Sequence, residues 1–317
     1  MKISILQPQV IHELGNRSNQ EDSVFPTKDE ASEESRFFIL CDGMGGHENG
    51  EVASQLVCQV LSEFINQNWN GGVLSDDLFQ TALDEVFRKI NEFDNDSFHK
   101  MGTTLTFLCL HQGGALMAHI GDSRIYHIRP SEHLILYKSR DHSLAYDLYM
   151  AGEIKYEELA TYKKNFITRA IMPGQEKPFK ADIAHTTDVK PGDYFLLCSD
   201  GLLENMSDEE LINLLCSDLG NEQKREQLIE NSKDNKDNHT AILLQISEFA
   251  KDEEDLSYIN DETTNTSNAI VLEKMMSEMG NNKQASVIFQ SPKKSLYQIL
   301  LWILALIVLL MLIIKIL

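Results

Sequence analysis

Twice in this chain a strand-like apolar run gives way to an aspartate followed by glycine. Phe37–Cys41 ends at Asp42-Gly43, and Tyr194–Cys198 leads through Ser199 to Asp200-Gly201. Short apolar runs bounded in this way predict buried strands. A carboxylate at the end of such a strand lies on the rim of a sheet, where others can converge on it. Glycine beside it lets backbone approach a ligand closely. Asp122 repeats the pattern after Ile120-Gly121, Asp237-Asn238 stands just ahead of a last apolar run, and Glu21-Asp22 comes early, after Arg17. An isolated Asp-Gly is most often a plain turn. Several at strand ends argue for a shared purpose, and gathered carboxylates repel unless cations neutralise them. Hard oxygen ligands select Mg2+ or Mn2+ over zinc.

The remaining periodicities predict mixed layers. Thr103–Leu110 and Ala115–Ile120 read as strands of a hairpin across a Gln-Gly-Gly turn, Ile125–Ile128 continues the meander, and Thr240–Ile246 is the last strand. Val52, Leu56, Val60 and Phe64 recur at helical spacing. So do Phe79, Leu83, Val86 and Ile90, with Ser75 as a cap, and Ser207-x-x-Glu210 is a capping-box pattern opening a third helix. Strands outnumber simple βαβ units and helices come in blocks, so the fold class is α+β rather than a doubly wound sheet.

This region, residues 1–247, reads as one domain. Residues 248–294 are polar and acidic, with Asp252-Glu253-Glu254-Asp255 and Asp261-Glu262, and read as a disordered linker. Residues 295–317 are almost wholly apolar on every face and read as a single transmembrane helix, a tail anchor. Lys293 and Lys294 flank its N-terminal side, which predicts that the domain of residues 1–247 lies in the cytoplasm, at the cell membrane. The five cysteines, Cys41, Cys58, Cys109, Cys198 and Cys216, show no CxxC spacing, and most sit in apolar runs, as small buried hydrophobes of a reducing compartment do. The formal charge of −21 argues against nucleic acid as a partner.

The ordered set Gly15-x-Arg17-x-x-x-Glu21-Asp22, Asp42-Gly43-Met44-Gly45-Gly46, Gly102-Thr103-Thr104, Gly121-Asp122-Ser123-Arg124, Asp141-His142-Ser143, Ser199-Asp200-Gly201 and Asp237-Asn238-x-Thr240 resembles the PP2C (PPM) protein phosphatases over about residues 7–247. The resemblance implies a four-layer α-β-β-α sandwich with a binuclear Mn2+ or Mg2+ centre in the cleft between the sheets. It implies two tight metals, a third weaker one, and hydrolysis of phosphoserine and phosphothreonine by a metal-activated water. Asp42 resembles the bridging ligand, with the Gly43 carbonyl beside it. Asp22, Asp200 and Asp237 resemble direct ligands, and Glu21 a residue that holds metal-bound water. Asp122 resembles the third-site ligand, sharing it with Asp200. Arg17 resembles the arginine that takes the substrate phosphate. The partners so implied are phosphorylated proteins, substrates of a serine/threonine kinase.

The chain departs from the animal pattern at Met44, which stands where those members carry a histidine proposed as general acid; bacterial members commonly carry methionine there. His47 and His142 read as structural, and His239 as a neutral replacement. Leu144 to about Glu176 corresponds to a variable flap beside the active site. Two other readings are open at this level: a pseudophosphatase that keeps the fold as a binding module, and a phosphohydrolase of small molecules. The five acids Glu21, Asp22, Asp42, Asp200 and Asp237, retained together, argue against the first.

Overall fold

A computed structural model describes residues 2–45, 49–93, 101–155, 158–159 and 166–250. Gly46 and His47, most of the acidic linker and the whole of 295–317 lie outside the described residues.

Two six-stranded sheets, antiparallel in every pairing, build the molecule. The first contains β1 (Lys2–Ile5), β2 (Gln9–Glu13), β8 (Arg124–Arg129), β9 (Leu134–Lys138), β11 (Tyr194–Cys198) and β12 (His239–Ala250), in the order β1-β12-β11-β8-β9. β2 shares an edge of β12 with β1: His239–Leu243 faces β2 and Ile246–Ala250 faces β1. The second sheet contains β3 (Asp22–Phe25), β4 (Phe37–Met44), β5 (Gly102–Thr103), β6 (Leu105–His111), β7 (Gly114–Ile120) and β10 (Asp182–Thr186), in the order β10-β7-β6-β4-β3, with β5 also on β4. The helices are α1 (Asn49–Asn68), α2 (Asp76–Ile90), α3 (Leu144–Ala151), α4 (Asp208–Leu215) and α5 (Asn221–Ser232).

Strand alternation separates the apolar side chains into three layers of core. Phe38 and Leu40 of β4 point inward with Leu108, Phe195, Leu197, Ile242 and Leu244, joining sheet to sheet. Phe37, Ile39 and Cys41 point the other way, with Phe107 and Cys109, onto α1 and α2. Tyr126, Leu196 and Leu243 pack on Leu211 and Leu215 of α4 and Leu228 of α5. Both faces of each central strand are therefore apolar, which is why these strands read as continuous runs. The order helix, sheet, sheet, helix is the predicted sandwich.

Ser75 caps α2, accepting from Leu78 N at 3.2 Å, and Ser207 with Glu210 closes the capping box of α4. Phe79, Leu83, Val86 and Ile90 are all buried. α1 forms where its spacing predicts, but its buried stripe is Ala53, Val57, Leu61 and Ile65, one position on from Val52, Leu56, Val60 and Phe64, which are only half-buried. The small residues Gly50, Ala53 and Ser54 lie on the buried side and allow close approach to the sheet. β4 does not stop at Asp42: it continues to Met44 because Asp42 pairs with Asp22, and Gly43 and Met44 pair with β5. The strand expected over Thr103–Leu110 divides at Thr104, where Asp42 N donates to the threonine hydroxyl at 3.0 Å in place of a ladder carbonyl. β12 reaches Ala250 because β1 supplies it with a second partner. α5 had no signal, since Leu228 is its one large apolar residue that is fully buried.

Candidate metal centre

The antiparallel register of β3 and β4 sets Asp22 directly opposite Asp42. Like charges in that relation destabilise a sheet unless something neutralises them. Asp22 is only 4% exposed, and Ser199, at the end of β11, donates its hydroxyl to Asp22 Oδ2 at 3.0 Å. Burial, aided by the charges of Asp200 and Asp237, pushes the Asp22 carboxyl up to about 7 against the opposing pull of its hydrogen bonds. Asp42 is raised well above the ordinary carboxylate range, by burial first and then by Asp22, Asp200, Asp122 and Asp237. Asp122, 6% exposed, is raised too, by burial and then by Asp200 and Asp141.

The backbone of Asp42 is clamped by two buried threonines. Thr103 Oγ1 donates to Asp42 O at 2.9 Å, Thr104 N donates to the same oxygen at 2.9 Å, and Thr104 Oγ1 accepts from Asp42 N. Thr104 Oγ1 also shares a 2.8 Å hydrogen bond with Ser123 Oγ, next to Asp122. Gly43 donates its N–H to Glu21 O at 3.1 Å. A Cβ on Gly43 would lie 2.3 Å from Gly50 O and 2.4 Å from Glu21 O. The glycine is thus required by the approach of the protein's own backbone, α1 on one side and the Glu21 turn on the other.

Asp200 opens a short 3-10 turn, Asp200–Leu203, whose Gly201 O accepts from Asn235 Nδ2 at 2.6 Å. Asp237 reaches the same cleft and accepts from Arg17 Nη2 at 2.6 Å. Arg17 is half-exposed and feels the charges of Asp237, Glu21 and Asp42 in that order. Glu21 is raised by burial and held down by Arg17. Asn238 ties the loop together: its Nδ2 donates to Leu14 O at 2.8 Å and Asn19 O at 3.0 Å, and its Oδ1 accepts from Glu21 N at 2.9 Å. The eight residues predicted for the site thus lie at or next to the ends of β3, β4, β7, β11 and β12, where Asp22, Asp42, Asp122, Asp200 and Asp237 feel one another's charge and Arg17 and Glu21 join them through Asp237 and Gly43. Thr103, Thr104, Ser199 and Asn238 stand within the motifs quoted above, but the hydrogen bonds by which they position the acids are visible only in the structure.

Asp122 Oδ1 is buried without a hydrogen-bond partner. A buried carboxyl oxygen left bare is costly, and together with the raised acids around it this makes a set of oxygen donors that lacks a compensating positive charge. Hard divalent cations fit such a set. A second group, His119, His142 and Asp182, brings potential ligand atoms within 4.8 Å of one another. It does not make a metal site in this arrangement. The two imidazoles stack with centroids 4.6 Å apart and planes 13° from parallel, and in-plane lone pairs of stacked rings do not aim at one point.

An antiparallel double-sheet sandwich with helices on both outer faces and carboxylates converging at its strand ends defines a protein of the α-β-β-α type with a candidate centre for hard divalent cations. The sequence profile of the family described as protein phosphatase 2C matches residues 12–232, and the chain belongs to that family. It is 35% identical over 215 residues to the protein phosphatase PhpP of Streptococcus pneumoniae, covering 66% of this chain and 85% of that protein. It is 31% identical over 241 residues to the serine/threonine phosphatase stp of Listeria monocytogenes, covering 72% and 91%. The catalytic domain of the serine/threonine protein phosphatase PstP, solved in complex with two manganese ions, superposes with a TM-score of 0.64 at 28% identity, over 78% of this chain and all of that one.

Proposed function

We infer that this chain is a metal-dependent phosphatase that hydrolyses phosphoserine and phosphothreonine in proteins. The observation that carries the reading is the convergence of Asp22, Asp42, Asp122, Asp200 and Asp237, several held at raised pKa and one with a bare buried oxygen. Asp22, Asp42, Asp200 and Asp237 would hold two Mn2+ or Mg2+ ions, with the Gly43 carbonyl beside Asp42 and Glu21 acting through water. Asp122 with Asp200 would take a third, weaker one. Bound there, the cations supply a water of lowered pKa and positive charge against the phosphoryl oxygens. The chain's own groups do the rest. Asp42, with N–H and carbonyl pinned by Thr103 and Thr104, is preorganised and loses little freedom on loading. The Arg17 fork presents two N–H groups to a phosphate. In the structure Asp237 takes that guanidinium, so it is already poised over the acids. Hydrolysis of a phosphopeptide with Mn2+, lost in EDTA, tests the assignment; full activity of the purified protein in EDTA would overturn it.

Residues 295–317 supply the second part of the proposal, a membrane anchor with the phosphatase domain on the cytoplasmic face. Leu296–Leu317 holds 22 residues with Lys315 the one charge. At ~1.5 Å per residue it spans ~33 Å as a helix, enough for a bilayer core. Lys293 and Lys294 favour a cytoplasmic N-terminal flank, and Lys315 can snorkel to the interface. Among the described residues no helix is long and apolar enough to cross a membrane, so the anchor rests on this segment alone. Recovery of the full chain in the soluble fraction, or removal of the phosphatase domain by protease added outside intact cells, would refute it.

A further inference from the structure

His142 holds two parts of the molecule that no strand ladder joins. It is fully buried. Its backbone N–H donates to Gly121 O at 2.9 Å, and its ring Nδ1 accepts from Gly121 N at 3.1 Å. Gly121 immediately precedes Asp122, and no ordinary residue fits there: φ is +109°, and a Cβ would meet Thr104 Cγ2 at 2.5 Å. Gly121 is thus caught between Thr104, which clamps Asp42, and His142. The Nδ1 contact also fixes the ring's tautomer. With Nδ1 accepting, a neutral imidazole carries its proton on Nε2, which lies 3.1 Å from Asp182 Oδ2 on β10 and 3.3 Å from Arg169 Nη1; both nitrogens being donors, His142 and Arg169 share the Asp182 carboxylate as acceptor. The stack on His119, itself held by a 2.7 Å contact of its Nε2 with Arg140 O, stops the ring from turning.

The other side of His142 faces the flap. Its carbonyl accepts from Thr168 N at 2.8 Å, and Asp182 accepts from Arg169 Nη1 at 3.0 Å. Three residues further on, Ile171 and Thr103 exchange backbone hydrogen bonds at 2.9 and 3.0 Å. The flap segment 166–171 is therefore fastened at one end to the Gly121-Asp122 turn through His142, and at the other to the Asp42 clamp through Thr103.

We propose that His142 is a positioning residue with two separable tasks: its Nδ1 side sets the Gly121-Asp122 turn, and its Nε2 side, through Asp182, sets the flap that borders the substrate cleft. This rests on the phosphatase reading above for the meaning of the second task. Asparagine can place an acceptor near Nδ1 but nothing near Nε2, and glutamine the reverse. The two substitutions therefore split the tasks.

The test uses the full chain. Mn2+ binding is followed by calorimetry, and phosphopeptide hydrolysis by KM and kcat separately. His142→Gln should raise the half-saturating Mn2+ concentration of the weakest site roughly fivefold, as the loss of one net hydrogen bond implies, with a smaller change in KM. His142→Asn should raise KM for the phosphopeptide roughly fivefold while leaving Mn2+ binding nearer that of the parent chain. Asp182→Ala, at a partly exposed edge-strand position, should reproduce the asparagine pattern without a change in the core. The proposal falls if glutamine and asparagine shift both quantities together, or if either lowers only the melting temperature. Failure of the parent chain to hydrolyse phosphopeptide would refute the phosphatase reading instead, and the Mn2+ arm would still decide the role of Nδ1.

Discussion

At the scale of single residues the site is a set of acids that the fold holds together against their mutual repulsion. Asp42 is the centre of that set: it faces Asp22 across the ladder and feels Asp200, Asp122 and Asp237. Asp42→Ala and Asp200→Ala should each reduce phosphopeptide turnover to background while circular dichroism and melting show a folded domain, and Asp42→Ala should also abolish tight Mn2+ binding in a calorimetric titration. Arg17 has a double expectation because it sits on Asp237. Arg17→Ala should raise KM for phosphopeptide more than it lowers kcat, the sign of lost substrate binding. It should also tighten Mn2+ binding, since a competing cation has been removed from Asp237. Unchanged KM would remove Arg17 from the phosphate site; unchanged Mn2+ affinity would mean that its contact with Asp237 is no barrier to loading.

Among elements, the active cleft depends on side chains that fasten one loop to another. Asn238 spends its whole amide on the loop that carries Arg17 and Glu21. Asn238→Ala strips three hydrogen bonds from one buried group. It should cost about 2 kcal/mol in urea unfolding, as several net hydrogen bonds imply, and lower activity more than stability alone explains. Asn238→Asp keeps the acceptor for Glu21 N but removes both donors, so it should recover only part of the loss. The flap shows the same logic. Its α3 begins at Ser143, which caps the helix by accepting from Tyr146 N at 3.3 Å and so links the helix start to His142.

For the molecule as a whole, the raised acids tie stability to pH and to metal. Asp22 has a folded pKa of about 7 against an ordinary 3.8. Its stabilising effect is therefore complete below the unfolded value and is lost as pH rises through 7. Metal-free domain should lose about 1 kcal/mol of stability between pH 6 and 8 from this group. His111 and His119, lowered to about 4 chiefly by burial, act oppositely, and between pH 6.5 and 8.5 the two together offset the loss from Asp22. The discriminating measurement is therefore the shift that metal produces: Mn2+ should raise the melting temperature more at pH 8.5 than at 6.5, where it must displace the Asp22 proton. An equal rise at both would mean that Asp22 is not held protonated. Truncation after Ala250 keeps β12 and its β1 partner intact and should yield a soluble, active enzyme; if that fragment fractionated with membranes, residues 295–317 would not be the anchor.

The sequence by itself determined the strands buried on both faces, the capped helices and the identity of the acids, because burial writes continuous apolar runs and capping writes fixed local spacings. It also carried the ordered motifs from Gly15 to Thr240. Only the tertiary structure decided what those motifs do. The opposition of Asp22 to Asp42 is a matter of register between strands, and the pairing of Arg124 with Asp141, at 2.6 and 2.7 Å, is a contact between separate elements. Gly43 is needed for the approach of Gly50 and Glu21, which no local rule foresees. α5, β1 and β10 escaped notice because each is short or half-exposed and is stabilised by partners distant in the chain. The helical spacing of Val52, Leu56, Val60 and Phe64 marked α1 but not the full face it buries, which also takes in the small residues Gly50, Ala53 and Ser54. Close packing against β4 depends on shape, and a count of large apolar residues does not record it.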